Sequence, residues 1–165
     1  MLGTDRPIPT DVGYSLLLLG HVAAAVIGFG ALAMTGAQAG RARRGPDQAG
    51  ADAVRRYFRP GVNWAGRILY LVPLLGFALV AAGRDAFSVS DLFVEIGFVL
   101  WLITVGAAEA VLWPAERRIQ QIVSGAWGDP ELQPELARCC AVVRAGASVT
   151  TAVFLVAVVL MVARP

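Results

Sequence analysis

Four long stretches hold most of the chain's apolar residues, and its formal charges fall between them almost without exception. They run over residues 12–35, 62–83, 92–113 and 141–163. The first carries no formal charge, the second only Arg67, the third Glu95 and Glu109, and the fourth only Arg144. Each stretch has 22 to 24 residues, enough at about 1.5 Å per residue to cross a hydrocarbon layer of roughly 30 Å. Lipid offers no partner to a backbone N–H or C=O, so each crossing satisfies its own backbone as a helix despite many Val, Ile and Phe residues.

Composition agrees with this reading. Charged residues make up 16% and apolar residues 57% of the chain, whereas charges alone are about a quarter of an ordinary soluble domain. The sequence therefore predicts an all-α, polytopic membrane protein. It forms one integral membrane domain over residues 1–165, a compact bundle of four transmembrane helices with short interfacial helices.

Ala37-Gln38-Ala39 has the small-x-small form of a signal-peptide cleavage site. The apolar stretch before it is longer than the usual 7 to 15 residues, however, and Asp5, Arg6 and Asp11 precede it in place of a basic patch. An uncleaved first helix is expected. Cleavage would leave three crossings and carry the Arg-rich segment across the membrane.

All 14 basic residues are Arg, and their positions set an orientation. Arg41, Arg43, Arg44, Arg55, Arg56 and Arg59 lie between the first two stretches, and Arg117, Arg118 and Arg138 between the last two. Arg6, Arg84 and Arg164 are left for the opposite side. Four crossings then place both termini outside and both longer loops in the cytoplasm of a bacterial cell. Arg41, Arg43, Arg44, Arg55, Arg56, Arg59, Arg117 and Arg118 form a surface for anionic headgroups or for a partner. Topology accounts for these charges, and no nucleic-acid partner is expected.

Within the loops, residues 51–58 read as a short interfacial helix ended by Pro60-Gly61. Residues 115–123 place Ile119, Ile122 and Val123 along one side and either lie on the membrane surface or prolong the third span. Trp64 and Trp113 map to the inner interface and Tyr14 to the outer, as anchors of helix ends. Cys139 and Cys140 read as structural thiols, with lipidation or partner metal binding as alternatives.

Small residues at four-residue spacing let helix backbones approach in lipid. Gly20, Ala24 and Gly28 offer this in the first span, Gly106 and Ala110 in the third, and Ala141, Ala145 and Val149 in the fourth. Arg67, Glu109 and Arg144 fall at similar depths near the inner ends of different spans. A contact of Glu109 with one or both arginines is expected, because an isolated charge in lipid is expensive. Such a cluster can be a structural clamp, a proton or substrate site, or a partner interface. Glu95, fourteen positions before Glu109 and about 21 Å away along a helix, belongs near the outer side.

The sole histidine, His21, belongs in the outer half of the first span, where Glu95 or Tyr14 could reach it. A lone packed histidine is the base case. Haem or copper ligation would need a second ligand such as Met34, Met161 or a partner residue. No glycine-rich phosphate loop, histidine pair, CxxC pair or G-x-S-x-G elbow occurs, and no intrinsic catalysis is expected.

Leu18-Leu19-Gly20-His21, Arg59-Pro60-Gly61 and Trp113-Pro114-Ala115-Glu116-Arg117-Arg118 give the chain a resemblance to a small four-helix bacterial integral membrane family. That family is distantly related to copper-resistance D-type proteins. The resemblance implies four helices and, were a copper role to apply, His21 as its carrier. The expected function is a non-catalytic accessory or scaffold subunit of a larger membrane complex. Its partners would be other integral membrane subunits or copies of itself, with no intrinsic cofactor. A copper- or ion-linked transporter component is the alternative.

Overall fold

The structure is a computed structural model that describes residues 11–83 and 88–163. Arg6, Arg84 and Arg164 lie outside the described residues. Seven α-helices are described: α1 (Val12–Ala42), α2 (Ala51–Tyr57), α3 (Trp64–Arg67), α4 (Leu71–Gly83), α5 (Leu92–Ala107), α6 (Trp113–Gly125) and α7 (Gln133–Ala163). A 3₁₀ turn (Ile68–Tyr70) joins α3 to α4, and a π turn (Ala108–Leu112) joins α5 to α6. The result is four continuous helical rods, each long and apolar enough to cross a membrane.

Two prolines explain the irregular joints. Pro73 has no N–H to give the Leu69 carbonyl, and the rod tightens into its 3₁₀ turn just before this point. Pro114 likewise cannot serve Ala110. The rod widens there instead, and Trp113 N–H reaches back five residues to the Ala108 carbonyl.

At 31 residues, α1 and α7 are each about 46 Å long, well beyond a hydrocarbon layer. Both continue past their apolar stretches at the arginine-rich end, where α2, α6 and the loops join them. Ala39, Val54, Phe58, Ile119, Ile122, Leu136 and Val143 form a tight core there. The residues contributed by α6 explain the pattern. Ile119, Ile122 and Val123 repeat at helical spacing on α6 while Arg117, Gln121 and Ser124 face outward, as water on one side requires. Trp127 closes this core by donating to the Ala42 carbonyl at 3.0 Å, occupying one of the acceptors that α1 leaves open at its end. α2 forms where its sequence predicted, and its apolar side is spent on this core: Val54 and Phe58 are fully buried.

Along the bundle, α1 packs against both α7 and α4, and α5 packs against α7, but the backbones of α4 and α5 hardly approach one another. The helices thus form an open sequence, α4–α1–α7–α5. Gly28 lies where any Cβ would come within 2.7 Å of Leu69 Cγ, and a Cβ at Gly36 would overlap that of Ala147. These two contacts hold α1 to its neighbours. Gly20 and Ala24 continue the Gly28 side, as the sequence predicted for the first span. The other expected small-residue faces point elsewhere: Gly106, Ala110, Ala141, Ala145 and Val149 are exposed, and Thr104, Val105, Ala108, Val143, Ala147 and Thr150 are buried in their place.

Candidate functional site

The open side of the bundle is a cleft. Towards the end where α1 begins and α7 ends, α4 and α5 part, and a cavity of about 190 Å³ lies between them and α1. Phe77, Phe98 and Trp101 form an aromatic wall, with centroids 5.5 and 5.6 Å apart. Trp101 closes the inner end by donating its indole N–H to the Leu69 carbonyl at 2.8 Å, the same carbonyl that Pro73 leaves without a helical donor.

His21 lines this cavity at 9% exposure. It meets neither Glu95 nor Tyr14 in the way the sequence suggested. Its Nδ1 instead lies 3.0 Å from the Val72 carbonyl. A carbonyl only accepts, so Nδ1 carries the proton and Nε2 keeps a lone pair. Gly76 makes the approach possible, since a Cβ there would stand 3.3 Å from His21 Cε1. Met161 lines the same cavity from α7, whereas Met34 is exposed outside it. Glu95 is exposed in the first turn of α5.

A second cluster ties the two halves of the bundle nearer the arginine-rich end. Arg67 Nη1 donates to Glu109 Oε1 at 2.8 Å and to Tyr70 Oη at 3.3 Å, and Tyr70 Oη donates to the same carboxylate oxygen. The Arg67 guanidinium lies 3.4 Å over the Trp113 ring. Trp113 is 2% exposed, so it is a platform for Arg67 and not the interface anchor its position suggested, whereas Trp64 is 75% exposed. Of the two arginines expected near Glu109, only Arg67 arrives. Arg144 lies against Gly40 on α1 and makes no ion pair among the described residues.

A third polar group escaped the sequence reading. Tyr57 Oη and Thr35 Oγ1 are 2.7 Å apart, and Asn63 Nδ2 donates to Thr35 Oγ1 at 3.3 Å and to Glu116 Oε1 at 3.1 Å. Burial raises the Tyr57 hydroxyl above its ordinary value, against the opposing effect of its bond to Thr35. Glu116 and Thr35 are both buried, so this network stitches α1, α2 and α6 through the loop before α3. Asn63 signals it in the sequence: it follows Pro60-Gly61 and caps α3 by accepting from Gly66 N–H at 3.3 Å.

The arginine surface is largely free. Arg41, Arg43, Arg44, Arg55, Arg56, Arg59 and Arg117 are exposed, with Arg55 5.2 Å over the Trp127 ring. Arg118 is half-buried in a two-point pair with Glu135 at 2.7 and 2.8 Å. Cys139 and Cys140 are free thiols, Cys140 buried in the tight core.

Between α1 and α7 runs a shallow groove lined by small side chains, including Ala33, Ala37, Ala145 and Ala152, with Arg144 within it. The groove's hydroxyls serve their own helix: Ser148 donates to the Arg144 carbonyl at 3.1 Å and Thr151 to the Ala147 carbonyl at 2.7 Å.

No curated protein and no solved structure gives a significant match to the chain. A family model described as a predicted integral membrane protein matches residues 15–165. That span takes in all four membrane-length rods except the first three residues of α1, and the chain belongs to this family, DUF2269.

Proposed function

We propose that the chain is a non-catalytic accessory or scaffold subunit of a larger membrane complex, docked to a partner transmembrane helix along the groove between α1 and α7. The observation that carries this reading is Arg144, a cation without an ion pair among the described residues, set in a groove of small side chains. Small residues allow close backbone approach in lipid, where van der Waals contact drives association. Arg144 is exposed in this groove, and a helix docked over it would have to supply a counter-charge. The fitting partner is a helix with its own small face and a carboxylate at the depth of Arg144. The arginine distribution supports placing this depth near the cytoplasmic leaflet, with both termini outside.

Photo-crosslinkers placed at Ala145 in the groove and at Gly106 on an exposed face away from it test the reading in native membranes. The expected result is an Ala145 adduct that maps to a helix carrying an Asp or Glu and disappears with Arg144→Glu. The Gly106 position should give lipid adducts. Lipid adducts alone at Ala145, or an adduct indifferent to Arg144→Glu, would overturn it.

One observation favours a copper-linked second reading and the distant copper-resistance relation: His21 and Met161 line the same cavity. Two side chains are fewer than copper sites ordinarily take from the protein, and the described residues hold no cluster of three His, Cys, Asp or Glu fit for a metal. Stoichiometric retention of Cu(I) by the purified chain, lost with Met161→Leu, would support that reading over the first.

A further inference from the structure

Among the described residues, the cleft presents the imidazole of His21 within a largely apolar, aromatic lining, which specifies a ligand. His21 is the only histidine in the chain. Its Nδ1 is committed to the Val72 carbonyl, and its Nε2 has no hydrogen-bond partner among the described residues. The cavity lining holds no carboxylate that would favour an imidazolium, so Nε2 presents a lone pair and requires a donor. An acceptor that faces an apolar cavity lining gains free energy from a bound hydroxyl.

Size and shape narrow the class. An apolar cavity of about 150 Å³ accepts one benzene ring, and this one measures about 190 Å³. Phe77, Phe98 and Trp101 offer faces and edges against which a ring can stack. Gly76 on α4 and Gly97 on α5 keep the walls thin, and a Cβ at Gly97 would press on Met161 Cε at 3.3 Å. The cavity lies between the membrane-crossing parts of α4 and α5, whose backbones hardly approach one another. A ligand that partitions into hydrocarbon suits a site at that depth.

We infer that the cleft binds a lipophilic phenol or hydroquinone head group, with its ring against the aromatic wall and one hydroxyl donating to His21 Nε2. The site discriminates by hydrogen-bond direction. A hydroquinone can donate, while the corresponding quinone and the methylated ether can only accept and would set two acceptors face to face. A plain acyl chain fills the space without meeting Nε2.

The single histidine makes the test direct, because the ¹⁵N spectrum of a histidine-labelled chain reports one imidazole. The full chain in phosphatidylcholine nanodiscs is titrated with decylhydroquinone and with its dimethyl ether. Decylhydroquinone is expected to bind saturably, to shift the Nε2 resonance and to leave Nδ1 protonated. The ether should bind at least about tenfold more weakly, the worth of one hydrogen bond, and should not move Nε2. His21→Phe should bring the two affinities together, and the wild-type comparison stands even if that variant fails to fold. Equal affinities, or hydroquinone binding without a Nε2 shift, would overturn the inference in favour of an unselective lipid-filled cleft. A Nε2 shift produced by Cu(I) alone, with none from the hydroquinone, would overturn it in favour of a metal site.

Discussion

Trp101→Phe should destabilise the bundle through a carbonyl on another helix, and the cost should depend on Pro73. Trp101 Nε1 donates to the Leu69 carbonyl at 2.8 Å. Leu69 is fully buried, and its carbonyl's other contact is the short-range one from Leu71 N–H, too bent to replace a helical bond. An ordinary net hydrogen bond contributes about 0.5–1.5 kcal/mol, and interhelical bonds in membranes average about 0.6 kcal/mol with a maximum near 1.7. A loss of about 1 kcal/mol follows, plus a smaller loss from trimming the indole against Phe98. Pro73→Ala restores an N–H four residues after Leu69, giving the carbonyl a donor within its own helix. In that background Trp101→Phe should cost about 1 kcal/mol less. The four proteins of the cycle can be compared by SDS-induced unfolding in mixed micelles. The indole-trimming cost is common to both backgrounds and cancels. Additive effects, with no coupling beyond about 0.3 kcal/mol, would refute the claim that the indole serves the acceptor vacated by the proline.

Two further measurements probe other parts of the fold. Gly36→Ala should destabilise by about 1–3 kcal/mol, because its new Cβ overlaps that of Ala147, which has no rotamer to yield, and α1 and α7 must separate. Gly106→Ala, with nothing within 4 Å of its Cβ, should stabilise by up to about 1 kcal/mol through helix propensity; the reverse order of these two variants would refute the helix pairing. Burial holds the Tyr57 hydroxyl above the ordinary tyrosine range, so the fold prefers its neutral form. The resulting stability is fully present below pH 10 and falls as pH rises through the raised value. Tyr57→Phe should flatten that alkaline decline in a melting-temperature series, and an unchanged decline would count against the network's burial.

How much was legible depended on which solvent each segment meets. The four apolar stretches could be placed because every residue of a crossing faces the same requirement, and length alone nearly settles it. Arg67 and Glu109 could be paired because a charge at that depth has few solutions. The α6 stripe of Ile119, Ile122 and Val123 stood out because water on one side separates its faces. Within the hydrocarbon that separation vanishes. Gly106, Ala110, Ala141 and Ala145 were as plausible for packing as Val105, Ala108, Val143 and Ala147, since lipid accepts either set. The partners of His21 and Trp101 were hidden for another reason: both bond to backbone carbonyls of the proline-altered rod, and a carbonyl has no signature in sequence.

The same two facts explain why a cleft can exist in so small a bundle. Helices parted at one end need something that fixes their separation, because lipid tails fill a gap almost as readily as side chains do. Three contacts supply it where the gap begins: Trp101 on Leu69, Arg67 on Glu109, and the Arg67 guanidinium on Trp113. All three join the rod tightened before Pro73 to the rod widened before Pro114, and each irregular turn presents a member of the set: Leu69 from the 3₁₀ turn, Glu109 from the π turn. Beneath them the tight core of α1, α2, α6 and α7 anchors the second of these rods through α6, beyond the apolar stretches, where water makes burial worth most. The open half can stay loosely packed because the closed half carries the stability. Local stability is then expected to rise from the cleft towards the arginine-rich end.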